Sequence, residues 1–182
     1  MTRSRFTTIM MSALLLVIGA SCSSDALPTG PSAQANQPAV SGLLGLPLDG
    51  LLGSLLTCAP QPYASDSKVI GPNGGTLHIG PHTFVVPRGA LKSDVRITGE
   101  APSDNVVSVR FQPEGLKFNS WHQPTLTLDY SNCGLVTNLL PKHIAYTTDD
   151  LSILSILSSV DDLLHEKVSA QIKHFSRYAV AY

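Results

Sequence analysis

His174, Phe175 and Ser176 hold the densest chemistry in this sequence, with an imidazole and a hydroxyl flanking one bulky residue near the chain end. That is the pairing of a general base with a nucleophile, and the electrophile nearest Ser176 is the carbonyl of Phe175. The plainer reading is packing: Phe175 starts a last strand, with His174 and Ser176 on its other face. His78 and His82 straddle the Gly80-Pro81 turn, but two histidines without a third ligand seldom make a metal site, so both read as polar hairpin positions. His122, His143 and His165 stand alone. Asp149-Asp150 and Asp161-Asp162 suggest calcium or glycosidase chemistry, yet no EF-hand spacing accompanies them and adjacent carboxylates are usually turn formers. Gly71 to Gly75 lacks the lysine and helix of a phosphate-cradling loop, and no nucleophile elbow is present. Trp121 and Tyr130 are candidates for a sugar-binding surface, although aromatic residues in strands are more often core. No metal, no cofactor and no enzyme activity on a substrate is expected.

Three cysteines remain: Cys22, Cys58 and Cys133. An odd count in an exported chain calls for one free or modified thiol. If Cys22 is modified, a single pairing is left, Cys58 with Cys133, and an oxidising compartment permits it. Closing so long a loop stabilises the domain by about 4 kcal/mol through the entropy of the unfolded chain.

The elements that would position these residues begin after an export signal. Arg3 and Arg5 form a short cationic region, Phe6 to Ala20 is apolar, and small residues lead to Cys22. That stretch is too short for a spanning helix and reads as a signal peptide over residues 1–21. It resembles a bacterial lipoprotein signal, in which Cys22 becomes the acylated first residue, although Gly19 stands where a leucine-like residue is commoner. The alternative is ordinary cleavage near Ala26 and a soluble secreted protein. Ser23 and Ser24 do not resemble an inner-membrane retention signal, which points to the outer membrane or the surface of the cell envelope.

Residues 22–62 then read as a lipidated tether. Ser23 to Val40 is rich in Ser, Pro, Ala and Gln, a flexible composition. Ser41 to Thr57 is leucine-rich, with Leu48, Leu51, Leu52 and Leu55 at helical spacing. This is either an amphipathic helix at a membrane or partner, or a helix or coil packed over one end of the domain; the lack of basic residues favours the second.

From residue 63 to 182 the chain reads as one antiparallel, all-β sandwich. It is organised around Gly71 to Leu91, where Asn73-Gly74-Gly75 and Gly80-Pro81 mark turns about two short β-prone runs, Thr76–Ile79 and Thr83–Val86. Pro87 stops the second run. Further strands are expected at Asp94–Glu100, Val106–Phe111, Thr125–Tyr130, Ile144–Thr148, Leu151–Leu157, Lys167–Ile172 and His174–Tyr182. Asp149-Asp150 and Asp161-Asp162 are placed at bends. Leu151 to Leu164 also carries some helical spacing, outweighed by its serine and β-branched content. Of the 182 residues, 43% are hydrophobic and 14% charged, with a net charge of -1, and the basic residues are scattered. That balance fits a packed core and argues against a nucleic-acid partner.

These stretches together, GPNGGTLHIGPHTFVVPRGAL, then FQPEGLKF, Pro124 with TLTLDY, and HFSRYAV near the end, resemble the ZU-five domain. That module is shared by ankyrins, netrin receptors and the zonula occludens scaffold, and a bacterial branch occurs in exported proteins. Val86-Pro87-Arg88-Gly89-Ala90-Leu91 carries the most specific part of the likeness. The resemblance implies a β-sandwich and an interaction or scaffolding role, with a protein or envelope polymer as partner and the membrane reached through the N-terminal lipid. In some relatives the tripeptide corresponding to His174-Phe175-Ser176 cleaves itself. Ser176 would attack the Phe175 carbonyl with His174 as base, and water would then hydrolyse the ester.

Overall fold

The computed structural model describes residues 53–134 and 140–182. The expected signal peptide, Cys22, the tether and most of the leucine-rich segment lie outside the described residues. Within them the chain is all-β, with no helix, and forms two antiparallel sheets.

The strands are β1 (Ala64–Ile70), β2 (Gly75–Ile79), β3 (His82–Val86), β4 (Val95–Ala101), β5 (Ser108–Gln112), β6 (Thr125–Asp129), β7 (His143–Thr147), β8 (Ile153–Ile156), β9 (Ser159–Asp162), β10 (Lys167–Gln171) and β11 (Arg177–Ala181). One sheet runs β1-β4-β5-β11-β7-β8 and the other β2-β3-β6-β10-β9. Alternation decides which face each strand buries. Leu77 and Ile79, Phe84 and Val86, and Leu126 and Leu128 point inward from one sheet, and Ile97, Val109, Phe111, Tyr178 and Val180 meet them from the other.

The expected central hairpin is present. Ile79 pairs with His82 across Gly80-Pro81, and Gly80 takes the positive φ of 57° that a two-residue hairpin needs at its first turn position. The Asn73-Gly74 turn closes through a bond from Gly74 N to Gly71 O (2.9 Å). A side chain on Gly74 (φ 75°) would strike the Val86 carbonyl at 2.3 Å, so only glycine fits between this turn and the end of β3.

Two features differ from expectation. β1 has no counterpart in the sequence reading: it is mostly polar and exposed, and is held by seven register pairs with β4, from Ala64–Ala101 to Ile70–Val95. Asp161 and Asp162 do not form a bend; they lie in β9, and the turn falls at Leu163–Glu166. Residues 153–162 are extended, in line with the strand expected over Leu151–Leu157, and run along β7. Leu157 N donates to Ile144 O (2.8 Å), Ile144 N to Ser159 Oγ (2.9 Å) and Lys142 N to Asp161 Oδ2 (2.7 Å). This one passage of chain thereby crosses from the edge of one sheet to the edge of the other.

Pairing with the sandwich also begins ahead of Tyr63. Leu55 bridges Ala181 and Thr57 bridges Val106, both antiparallel, and Leu56 is fully buried. The described end of the leucine-rich segment is therefore an extended strap against β11. Cys58 and Cys133 are disulfide-bonded, with their Cα atoms 4.7 Å apart. The bond fastens that strap, which pairs with the six-stranded sheet, to the turn that follows β6 in the other sheet.

Candidate functional site

The His-Phe-Ser tripeptide sits just before β11, with its central residue in the core. Phe175 is 1% exposed. Its ring stacks on Phe111 (centroids 4.8 Å, 12° between planes), takes Phe118 edge-on at 5.1 Å and lies 5.6 Å from Phe84. Its N–H donates to Leu116 O (2.8 Å), and its carbonyl accepts from Gly115 N (3.0 Å). Phe175 thus ties β11 to the loop between β5 and β6.

The flanking residues face elsewhere. The His174 ring packs edge-on against Tyr146 at 4.8 Å, and its carbonyl accepts the Tyr178 hydroxyl (2.6 Å). Ser176 Oγ donates to Thr147 O at 3.4 Å. No hydrogen bond joins His174 to Ser176, so the candidate base and nucleophile are not brought together. Neither Phe175 nor Ser176 adopts a positive φ or a cis peptide bond, so the backbone strain that an acyl shift draws on is not seen there. Burial pushes the Tyr178 hydroxyl well above its ordinary range, with Tyr146 adding to the rise.

His78 and His82 occupy opposite faces of their hairpin. His78 is exposed, and its N–H donates to Asp66 Oδ2 (2.9 Å). His82 is not the polar surface position expected of it: it is buried, and its Nδ1 accepts from Asp129 N (3.1 Å). Among the described residues no group of three His, Cys, Asp or Glu is placed to hold a metal ion. Asp161 accepts the Tyr130 hydroxyl (2.6 Å) as well as Lys142 N, and Asp150 joins Thr148 and Ser152 in a turn. Lys142, which nothing in the sequence marked, is fully buried beneath the rings of Tyr130 and Tyr182, at 5.4 and 5.0 Å.

Burial holds the His82 imidazole neutral, with its pKa lowered from 6.5 to about 4, the nearby Asp129 charge opposing the shift. The folded value lies below the unfolded one, so the unfolded chain takes up this proton first as pH falls. The stability contributed by neutral His82 is complete above the unfolded value and is lost between pH 6.5 and about 4. It amounts to about 3 kcal/mol. We expect urea midpoints to drop over that window, and His82→Asn, which retains an acceptor for Asp129 N–H, to flatten the profile. A wild-type midpoint unchanged between pH 7 and 4.5 would contradict the assignment.

Trp121 is where the structure most changes the functional picture. It was expected in the core with Tyr130; Tyr130 is there, but Trp121 is 89% exposed at the tip of the β5–β6 loop. The loop is nevertheless fixed. Phe118 roots it in the aromatic cluster. Asn119 N donates to Ala90 O (3.1 Å), Asn119 Nδ2 reaches Gly89 O (3.3 Å) and Asn119 Oδ1 accepts from Trp121 N (3.1 Å). Gly89, at φ 81° in the turn after β3, leaves its open face to the His122 ring. Beside Trp121 the two loops enclose an open groove of about 610 Å³, reaching Leu91, Lys92, Leu116, Lys117 and Phe118. Lys92 and Lys117 are exposed, and among the described residues neither takes part in an ion pair. A flat apolar ring and two ammonium groups on one rim can hold a ligand.

No protein-family model matches the chain, and no curated protein sequence matches it.

Proposed function

We propose that this is a lipid-anchored binding module of the bacterial cell envelope, non-enzymatic, built on a ZU-five-like sandwich and engaging its partner through the Trp121 groove. The exposed indole on an immobilised loop carries this reading. Single exposed apolar residues are common, but a tryptophan held out on a loop that the hydrogen bonds of Asn119 fasten beside a groove is a contact residue in waiting. The cationic, apolar and small-residue order ahead of Cys22 supports the anchor. Self-processing at Phe175–Ser176 is the second reading. The Gly115 N–H on the Phe175 carbonyl favours it, as a donor to a developing oxyanion. The separation of His174 from Ser176 weighs against it.

Two measurements test the proposal. Retention of the full chain on detergent-washed envelope fragments, with the anchor held in micelles, should fall at least about tenfold in Trp121→Ala, the loss of one good aromatic contact. Equal retention would remove the groove from the account. The intact, unreduced mass should begin at acylated Cys22 and end at Tyr182, identical in pattern to a Ser176→Ala control. A start near Leu27 would remove the anchor, and a wild-type mass split after Phe175 would establish self-processing.

A further inference from the structure

We propose that the Trp121 groove takes an anionic polysaccharide, a sugar ring stacking on the indole while its acidic substituents meet Lys92 and Lys117. The inference rests on the binding role just proposed for this groove and specifies its ligand. The indole offers a rigid apolar plane, and the C–H face of a pyranose is the flat, weakly apolar surface that matches it without displacing the sugar's hydroxyls from water. Lys92 and Lys117 lie on the same groove and are exposed, and among the described residues they have no acidic partner and no aspartate or glutamate lines the groove. The formal charge of its lining side chains is therefore positive although the chain as a whole carries a net charge of -1. The volume of about 610 Å³ lies in the range of small-ligand sites and accommodates one or two sugar rings.

An acidic peptide is the competing occupant, and the walls of the groove decide against it. They are the β3–β4 and β5–β6 loops with Val95 at the start of β4, a strand already flanked by β1 and β5, so among the described residues no free strand edge is present there to receive an extended backbone. A polymer read by ring stacking and charge needs no such edge.

Trp121 is the single tryptophan of the chain, so its emission reports on the groove directly. The full chain in detergent is titrated with polygalacturonate, with its fully methyl-esterified uncharged form, and with polyglutamate. Polygalacturonate is expected to shift the emission to shorter wavelength and to bind at least about tenfold more tightly than either control. The affinity should fall as salt rises, and it should fall about tenfold in Lys92→Ala/Lys117→Ala. These two lysines are exposed, so the double variant keeps the wild-type melting temperature. An equal response to polyglutamate overturns the saccharide assignment, and an equal response to the methyl ester overturns the role of the lysines. No response to any of the three overturns the inference as a whole. In that event, loss of envelope retention in Trp121→Ala would still leave the binding role standing with a different ligand.

Discussion

Phe175→Ala should lower the stability of this domain by about 4 kcal/mol, while Ser176→Ala changes it by less than about 1 kcal/mol. The contrast follows from what each side chain touches. Phe175 meets all three other rings of the aromatic cluster, Phe84, Phe111 and Phe118, and these come from β3, from β5 and from the loop before β6. Truncation removes a whole ring from contact with both sheets and leaves a cavity that rigid neighbours cannot fill. The Ser176 hydroxyl makes one long bond to a carbonyl, which water can replace. Because Phe118 roots the Trp121 loop and packs edge-on against Phe175, Phe175→Ala should also shift the emission of Trp121, although the two residues are far apart in sequence. Denaturant unfolding of the two variants settles it. If Phe175→Ala lay within about 1 kcal/mol of wild type, the tripeptide's place in the fold would need an explanation other than packing.

The alternation of residue types carried the sandwich into view, and it did so where both faces of a strand have definite neighbours. TLTLDY buries Leu126, Leu128 and Tyr130 as its pattern requires, and the Gly80-Pro81 hairpin follows from turn chemistry alone. β1 was invisible for the opposite reason. Ala64 to Val69 has almost no apolar face to bury, and the strand exists because β4 offers a ladder to it. Propensity cannot report a partner thirty residues away. Asp161-Asp162 failed in the same way: two carboxylates read as a turn until Tyr130 and Lys142 supply donors that let the strand continue through them.

The candidate site was legible only in pieces. Trp121 reads on frequency as a core aromatic, yet Asn119-Ser120 before it and Pro124 after it are loop residues, and that flanking pattern carries the signal. Lys92 and Lys117 carried none. They are separated by the whole of β4 and β5, and only the packing of two loops makes them neighbours of one indole. His174 and Ser176 show the converse: adjacency in sequence promised chemistry, and strand geometry sends one to Tyr146 and the other to Thr147.

Removing the disulfide, by Cys58→Ser/Cys133→Ser, should cost about 4 kcal/mol and lower the melting temperature by about 10–15 °C for a domain of this size. The bond spans 75 positions, so its main effect is on the unfolded chain, which without it gains the freedom of a very large loop. The folded domain should change little. Leu55 and Leu56 remain paired with β11 through Leu56 N to Val180 O (2.8 Å), and Cys58 N still donates to Asn105 O (2.8 Å). The two effects separate in one experiment. A loss carried by the unfolded state raises the denaturant m-value, because the uncrosslinked chain exposes more surface. A loss carried by the strap would instead leave the m-value unchanged and speed hydrogen exchange at Leu56 alone. Equal melting temperatures with and without the bond would mean that the strap and the two sheets are held by packing alone. The sandwich would then owe its cohesion to the aromatic cluster around Phe175 and to the chain that crosses between the sheets beside β7.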